Sequence, residues 1–298
     1  LLILAIGVSA LGLVGTDWIT EKVFDLPIVY NALPQLITNV PRSISDGGIH
    51  KNLVGGALTF FMPLLVSLLW DIQAVHFDDW IKNKSLAAKA KMAFIVLLIL
   101  TLVLVTFTLV LTQSRGGYLG ALLGILALAV IKDRRYLWAI PLILLALLPV
   151  VQRTAQGDLD IFLKLIDTTR GGTLPGRMEI WRRAALLIQD FPFTGAGLGT
   201  FGPLANTFYP YFAGSNPNIP HAHNMVLTMA GDLGVPGLVL YTALVSSFAL
   251  IVIKTAKKAA PCPRALLIGL GCGVLAHQVY GIMDAYMLGT KLGAIMWI

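Results

Sequence analysis

Two histidines separated by one residue precede an apolar run, in His221-Ala-His223-Asn224. Histidine is the usual general base near neutral pH, and the Asn224 amide is suited to orient that base or to hold a substrate. A histidine pair of this spacing also suits a metal ion, but the sequence shows no third ligand at a sensible spacing. We therefore predict general-base chemistry and no metal site. We assign no role to the remaining histidines: His50, His76 and His277.

Arginines offer a second kind of chemistry, because guanidinium pairs bidentately with phosphate oxygens. Arg115 lies between two apolar runs and is followed by two glycines, which allow another backbone to approach closely. Arg177 falls in the first turn of a predicted helix, where free N–H groups and the helix dipole favour a bound anion. Both are candidate phosphate-binding residues. The alternatives are an interfacial anchor for Arg115 and a solvated basic face for Arg177, Arg182 and Arg183.

The composition places these residues in a membrane protein. Of 298 residues, 57% are hydrophobic and 12% are charged, whereas soluble domains have about 25% charged residues. The net charge of +7 is attributed to membrane topology rather than to nucleic-acid binding. Cys262 and Cys272 lie in a connector and in an apolar run, a pattern that indicates neither a disulfide framework nor a metal site.

Apolar runs that suit membrane helices recur along the whole chain, so we predict an all-α, polytopic transmembrane bundle forming a single domain over 1–298. Pro63 should bend the second run. The chain starts and stops inside apolar runs, which predicts that it is part of a longer protein. The runs are 1–14, 53–69, 93–111, 118–131, 136–151, 235–253, 265–283 and one that begins near 288.

The connectors between these runs fall into two sets when they are placed alternately on the two sides. One set carries four, three and four Lys or Arg residues, in 71–92, 132–135 and 254–264 respectively. The positive-inside rule places this set in the cytoplasm. The other set therefore lies outside, and it comprises 16–52, the turn at Arg115, the long loop 152–224 and Asp284.

The long loop 152–224 is expected to hold short amphipathic helices, the clearest over 177–190. A G-x-G-x-x-G pattern occurs in Gly197-Leu-Gly199-Thr-Phe-Gly202. A dinucleotide site needs a strand before this pattern and a helix after it in a βαβ unit, and the sequence does not alternate in that way. We interpret these glycines instead as backbone that lets the chain reverse after Pro192. The loop is expected to close as a lid against the helix end that carries Arg115.

Five short motif segments occur in a defined order between residues 51 and 241. They are Asn52-Leu-Val-Gly-Gly-Ala-Leu with Pro63, Ser114-Arg115-Gly116-Gly117, Gly176-Arg177 with Trp181, Gly195-Ala-Gly197-Leu-Gly199-Thr-Phe201, and His221-Ala-His223-Asn224 followed by Gly234-Val-Pro236-Gly237. In this order, across 51–241, the sequence resembles the O-antigen ligase and polymerase superfamily of integral membrane glycosyltransferases. One departure is Asp232, where relatives commonly have Glu.

The resemblance implies a GT-C-like protein of the bacterial inner membrane, of which this chain is the C-terminal two-thirds. It implies transfer of a glycan from undecaprenyl diphosphate to an acceptor hydroxyl, such as one on lipid A core, on the outer face and without a cofactor or metal ion. Arg115 and Arg177 would bind the diphosphate leaving group, and His223 would act as the base or position the acceptor. The residues expected to bind substrate are His221, Asn224, Trp181, Arg182 and Ser114.

Other functions remain open at this point. A polymerase or a protein O-oligosaccharyltransferase would use the same chemistry, and some members of the superfamily have been proposed as inorganic-carbon transporters. Against transport, the candidate polar groups gather at one face, and none of the runs has a clear charged residue near its middle, where a substrate path usually needs polar groups.

Overall fold

The computed structural model describes residues 1–16, 18, 49–75, 77, 81–138, 140–142, 174–209, 219 and 221–285. These residues form helices and connectors, and the β pairing among them is one isolated bridge between Thr16 and Ile49. The prediction of an all-α protein is therefore confirmed. The predicted run over 136–151 is described only as far as residue 142. The predicted run from 288, and residues 152–173, 210–218 and 220 of the long loop, lie outside the described residues.

The described residues contain eight α-helices, five of which are long and apolar enough to cross a membrane: α2, α3, α4, α7 and α8. The predicted polytopic architecture is thus confirmed. The helices are α1 (Leu2–Gly15), α2 (Lys51–Trp70), α3 (Lys84–Thr112), α4 (Arg115–Lys132), α5 (Leu174–Asp190), α6 (Phe201–Phe208), α7 (Met225–Ala256) and α8 (Pro261–Met283). Short 3-10 turns occupy Ile72–Ala74 and Arg134–Trp138.

The centre of the bundle is formed by α2, α4 and α8, which pack against one another, with α3 against α2 and α7 against α8. Small residues allow this close approach. A Cβ atom on Gly273 of α8 would lie 2.4 Å from the Phe60 carbonyl oxygen of α2, and one on Gly120 of α4 would lie 2.5 Å from the Ala276 carbonyl oxygen of α8. Tight packing of this kind is the main source of helix association in a membrane, where the lipid is as apolar as the helix surfaces.

The α3 helix begins well before the apolar run that predicted it. It starts at Lys84, within the predicted connector, because the Asn83 side chain caps it by accepting from the Leu86 N–H. The α7 range joins two helical segments that meet at Gly234, whose φ of 72° and ψ of 178° are not helical. The second segment follows Gly234, in agreement with the predicted run from 235, whereas the first segment, from Met225, was not predicted. Hydropathy marks the apolar part of a helix, whereas capping marks where the helix begins.

The helix directions define two ends of the bundle. At the end we call the histidine end, α2, α4 and α7 begin and α8 finishes, with α5 and α6 packed beside α7. At the opposite end, α2 and α4 finish and an ion pair between Asp71 and Lys132 joins them. Most of the predicted outer groups, including the Arg115 turn and Asp284, share the histidine end.

Candidate active site

A histidine–carboxylate pair lies at the histidine end. His223 Nδ1 is 3.0 Å from Oδ1 of Asp284, the first residue after α8. An ionised carboxylate only accepts hydrogen bonds, so Nδ1 carries the proton and Nε2 keeps its lone pair. The His223 side chain is 28% exposed, which leaves it accessible to a substrate. This tautomer is the one that a general base requires.

Asp284 is buried and is held from three sides. Besides His223, the Asn52 side-chain amide donates to its Oδ2 at 3.0 Å and the Ala285 N–H donates to its Oδ1 at 2.9 Å. Burial alone raises the pKa of the Asp284 carboxyl, but the hydrogen bond from His223 and the nearby histidines outweigh it and hold the pKa well below its usual range. The Tyr280 hydroxyl donates to the Asn52 carbonyl oxygen at 2.8 Å. The carboxylate is therefore ionised and fixed between α2 and α8.

His221 supports its neighbour. The two imidazole centroids are 4.3 Å apart, and His221 Nδ1 accepts from the His223 backbone N–H at 3.2 Å. This contact accompanies a left-handed backbone at His223, with φ 48°. Burial, together with the nearby His223 and His50, lowers the pKa of His221 to about 4, although Asp284 opposes the shift. His221 is therefore neutral near pH 7 and available as an acceptor.

The same cluster also has the composition of a metal site. One ligand atom each from His221, His223 and Asp284 lie within 4.8 Å of one another. Imidazole nitrogens and a carboxylate oxygen are suitable ligands for zinc, so Asp284 supplies the third ligand that the sequence spacing did not reveal. Binding a metal through His223 Nδ1 would break the His223–Asp284 hydrogen bond, because Nδ1 would have to give up its proton.

The two arginine-bearing segments converge on the last turn of α8. Arg177 Nη1 on α5 is 3.8 Å from the sulfur of Met283, the residue before Asp284. Gly116, next to Arg115, packs on the same residue, since a Cβ atom there would lie 3.0 Å from Met283 Cβ. Arg115 is half-buried in the first turn of α4. Both cations therefore belong to segments that contact the residue adjoining the histidine–carboxylate pair.

Two of the residues predicted to bind substrate cap helices. Ser114 is buried, and its hydroxyl accepts from the Gly117 N–H at 3.2 Å at the start of α4. Asn224 accepts from the Leu227 N–H at 3.1 Å at the start of α7 and donates to the Ile282 carbonyl oxygen at 3.2 Å. These contacts place Arg115 and His223 by fixing where their helices begin.

Two more of the residues predicted to bind substrate, Trp181 and Arg182, lie on α5 with different surroundings. The Arg182 side chain is 68% exposed and lies 3.9 Å from Glu179. Trp181 is four residues from Arg177, so both lie on the same side of the helix. Its Nε1 atom is buried with no hydrogen-bond partner among the described residues. Of these two residues, Trp181 therefore offers the unused donor beside Arg177.

Residues 100–242 match the family model described as O-antigen ligase. This match covers a little under half of the chain and supports the O-antigen ligase superfamily. The matched residues include Arg115, Arg177, His221 and His223, whereas Asn52 and Asp284 lie outside the match. No curated protein matches the chain. The resemblance drawn from the five ordered segments is thus confirmed at the level of the superfamily.

The glycine-rich segment within the matched residues docks on the break in α7. Gly195, Gly197 and Gly199 all have positive φ, and the Gly197 N–H donates to the Asp232 carbonyl oxygen at 3.1 Å. The Gly199 N–H donates to the Asp232 side chain at 3.2 Å. A Cβ atom on Gly195 would lie 2.3 Å from that same carbonyl oxygen. These glycines therefore serve close backbone docking, and no strand precedes them in the described part of the chain.

Arg183 is buried, so the solvated basic face considered from the sequence is wrong for this residue. Its guanidinium donates to the carbonyl oxygens of Ala205 and Tyr209 and to the Asn206 side chain. These groups lie at the C-terminal end of α6, where a cation is favourable. Arg183 therefore holds α6 against α5. Its sequence signal was its position on the apolar side of α5, three residues after Ile180 and four before Leu187.

Proposed function

We propose that this protein is an inner-membrane glycosyltransferase of the O-antigen ligase type. It transfers a glycan from an undecaprenyl diphosphate donor to an acceptor hydroxyl, on lipid A core or a similar acceptor, at the outer face of the membrane. The observation that carries this proposal is the His223–Asp284 pair beside the meeting point of the Arg115 and Arg177 segments. A base and two phosphate-binding cations are the groups that this reaction needs.

In the proposed reaction, the acceptor oxygen forms a bond to the anomeric carbon while the bond from that carbon to the diphosphate oxygen breaks. The bonding electrons leave with the diphosphate, whose negative charge Arg115 and Arg177 neutralise. His223 Nε2 takes the acceptor proton, and Asp284 stabilises the imidazolium that forms. A positioned base contributes about 10²- to 10⁴-fold to such a reaction. Each preorganised donor to the leaving group contributes about 10²- to 10³-fold.

The α5 helix is proposed to hold the donor as well as to neutralise it. The Nε1–H of Trp181 lies on the Arg177 side of α5 and is buried without a partner among the described residues. A buried donor in that condition costs about 1–3 kcal/mol unless a ligand satisfies it. We assign it to the glycan or diphosphate of the donor. Arg182, which is exposed, is assigned to the periphery of the substrate.

The direct test is glycan transfer by the purified protein in liposomes with a lipid-diphosphate-linked glycan. Arg115→Ala, Arg177→Ala and His223→Ala are each expected to abolish transfer while the protein still inserts and retains its melting temperature within a few degrees. Arg182→Ala is the matched control, because it removes a charge from the same helix, and it should retain most of the activity. Transfer close to wild type in all three site variants would refute the catalytic assignment.

The reaction is proposed to proceed without a metal ion. Because the His221, His223 and Asp284 atoms could also bind zinc, the chelator EDTA provides a separate test. We expect the initial rate in EDTA to equal the untreated rate. A rate that falls in EDTA and recovers on addition of a divalent cation would show that the cluster is a metal centre instead.

The choice between ligase and polymerase depends on what accumulates when the protein is absent. A ligase leaves full-length lipid-linked polymer, whereas a polymerase leaves single lipid-linked repeat units. We expect the full-length polymer. Accumulation of single repeats would replace the ligase proposal with polymerase activity of the same superfamily, without affecting the roles of His223 and the arginines.

A further inference from the structure

We propose a second binding site, at the opposite end of the bundle, for the phosphate of an anionic phospholipid. A cleft of ≈ 420 Å³ lies there between the last turns of α2 and α4 and the first turn of α8. Its polar lining comes from Asp71, Gln73, Lys132 and Arg264. This site is separate from the proposed transfer reaction and depends only on the chain being embedded in a membrane.

The charge of the cleft suits one phosphodiester. Lys132 and Asp71 form an ion pair, and Arg264 is exposed on the first turn of α8. Two cations and one carboxylate leave one net positive charge in the cleft. The α8 helix also begins here, at Pro261, with no side chain capping its N-terminus. The dipole at that helix end adds to the attraction for a single negative charge.

The surroundings of the cleft favour a lipid over a free phosphate. Trp70 at its edge is 45% exposed, and its ring lies 5.8 Å from that of Tyr136 in an edge-on contact. Exposed aromatic side chains of this kind mark the membrane interface. Ile131 and Ile268 supply apolar lining below the charged groups. A head group held by Arg264 would therefore lie at the interface with its acyl chains directed along the bundle.

The wider charge at this end supports the same ligand class. Basic pockets between transmembrane helices bind anionic head groups, and neighbouring cations concentrate anionic lipids nearby. Basic side chains that the structure describes at this end, outside the cleft, include Lys82, Lys84, Lys91, Arg134, Arg135 and Lys258. These surface charges are a diffuse attraction, so the test has to separate them from the cleft.

The test is native mass spectrometry of the full chain purified in detergent and mixed with phosphatidylglycerol or phosphatidylcholine. We expect phosphatidylglycerol to be retained preferentially, and Arg264→Gln to reduce its retention about tenfold, as expected for loss of a charge-assisted hydrogen bond. Asp71→Asn should increase retention about fivefold, because it releases Lys132 from its ion pair. Lys258→Gln removes a charge at the same end outside the cleft and should leave retention unchanged.

Each other outcome would overturn the site. Equal losses in Arg264→Gln and Lys258→Gln would mean that lipid is held by diffuse surface charge. Unchanged retention in Arg264→Gln, or reduced retention in Asp71→Asn, would contradict the assigned chemistry. If free glycerol 3-phosphate bound as tightly as phosphatidylglycerol and displaced it, the ligand would be a soluble phosphate instead. A melting temperature within a few degrees of wild type shows that each variant remains folded.

Discussion

Replacing Asp284 by Asn tests the proposed base most directly, because it changes one oxygen to NH₂ with almost no change in size. The carboxylate accepts from His223 Nδ1, the Asn52 amide and the Ala285 N–H, all within 3.0 Å. An amide has a single acceptor oxygen, so its NH₂ group must face another donor. In one arrangement, His223 Nδ1 loses its hydrogen-bond acceptor, and with it the tautomer that leaves Nε2 unprotonated. In the other, the Asn52 amide loses its hydrogen-bond acceptor.

The expected effect follows from the lost carboxylate charge, which stabilises the His223 imidazolium in either arrangement, and in the first arrangement from the lost tautomer as well. A general base contributes about 10²- to 10⁴-fold, so kcat should fall by about 10²- to 10³-fold, with KM for the lipid-linked donor within about threefold. Donor binding is unaffected because Asp284 acts through His223 and not on the diphosphate. The poorly matched buried amide should also cost about 1–3 kcal/mol of stability. Initial rates in liposomes and thermal melting in detergent measure the two effects.

Two controls separate positioning from simple destabilisation. Asp232→Asn alters a second buried carboxylate, which lies on α7 and does not contact His223. It should lower the melting temperature without a comparable loss of kcat. The double variant with Asp284→Asn and His223→Ala should be no slower than His223→Ala alone, since both changes remove the same base. A kcat for Asp284→Asn within about threefold of wild type, or an additive double variant, would refute the reasoning.

Three further predictions concern the neighbours of this pair. Arg177→Lys should lower kcat by about 10-fold or more, because a lysine lacks the bidentate contact to diphosphate. The exposed control Arg182→Lys should not lower kcat. Equal rates in the two variants would exclude the role of Arg177. Asn52→Asp should lower kcat more than Asn52→Leu, because ionising a second carboxyl group beside the Asp284 carboxylate is unfavourable. The reverse order would show that Asn52 only packs. The pKa of His221 is lowered from 6.5 to about 4 by burial, so its neutral form contributes stability that is complete above pH 6.5 and lost as the pH falls through 4. This amounts to about 3 kcal/mol, so melting of His221→Gln should depend less on pH across that window, and an identical pH dependence would contradict it.

The helices could be predicted from the sequence because their driving force is local. Runs of apolar residues identified the five long helices, and the spacing of Ile180, Ala184 and Leu187 placed the buried side of α5. The starts of α3 and of the first segment of α7 were missed because they depend on the caps Asn83 and Asn224, which lie outside the apolar segments. The lysines at the start of α3 led to the prediction of a connector there, although lysine is a good helix former.

The site was only partly predictable because its contacts are long-range. Residue type and spacing identified His223, but its partner Asp284 is 61 residues away, and Asn52 is 232 residues from Asp284. The available signal was that Asp284 is a carboxylate immediately after an apolar run, on the same side as the histidines. His50 was given no role, yet it caps α2 and lies close enough to influence the pKa of His221.

The division of the site between elements follows from what each group must do. Asn52 and Asp284 belong to α2 and α8, whose backbones approach so closely that a Cβ atom on Gly273 would lie 2.4 Å from the Phe60 carbonyl oxygen. The base is therefore oriented by two closely packed helices at the centre of the bundle. Arg177 instead belongs to α5, which packs on α7 and α6 outside the bundle centre and reaches α8 through a sulfur contact. In the proposed reaction, a leaving group on a long lipid has to enter and depart with each turnover. A cation on a peripheral helix and a base held at the bundle centre would match these two requirements.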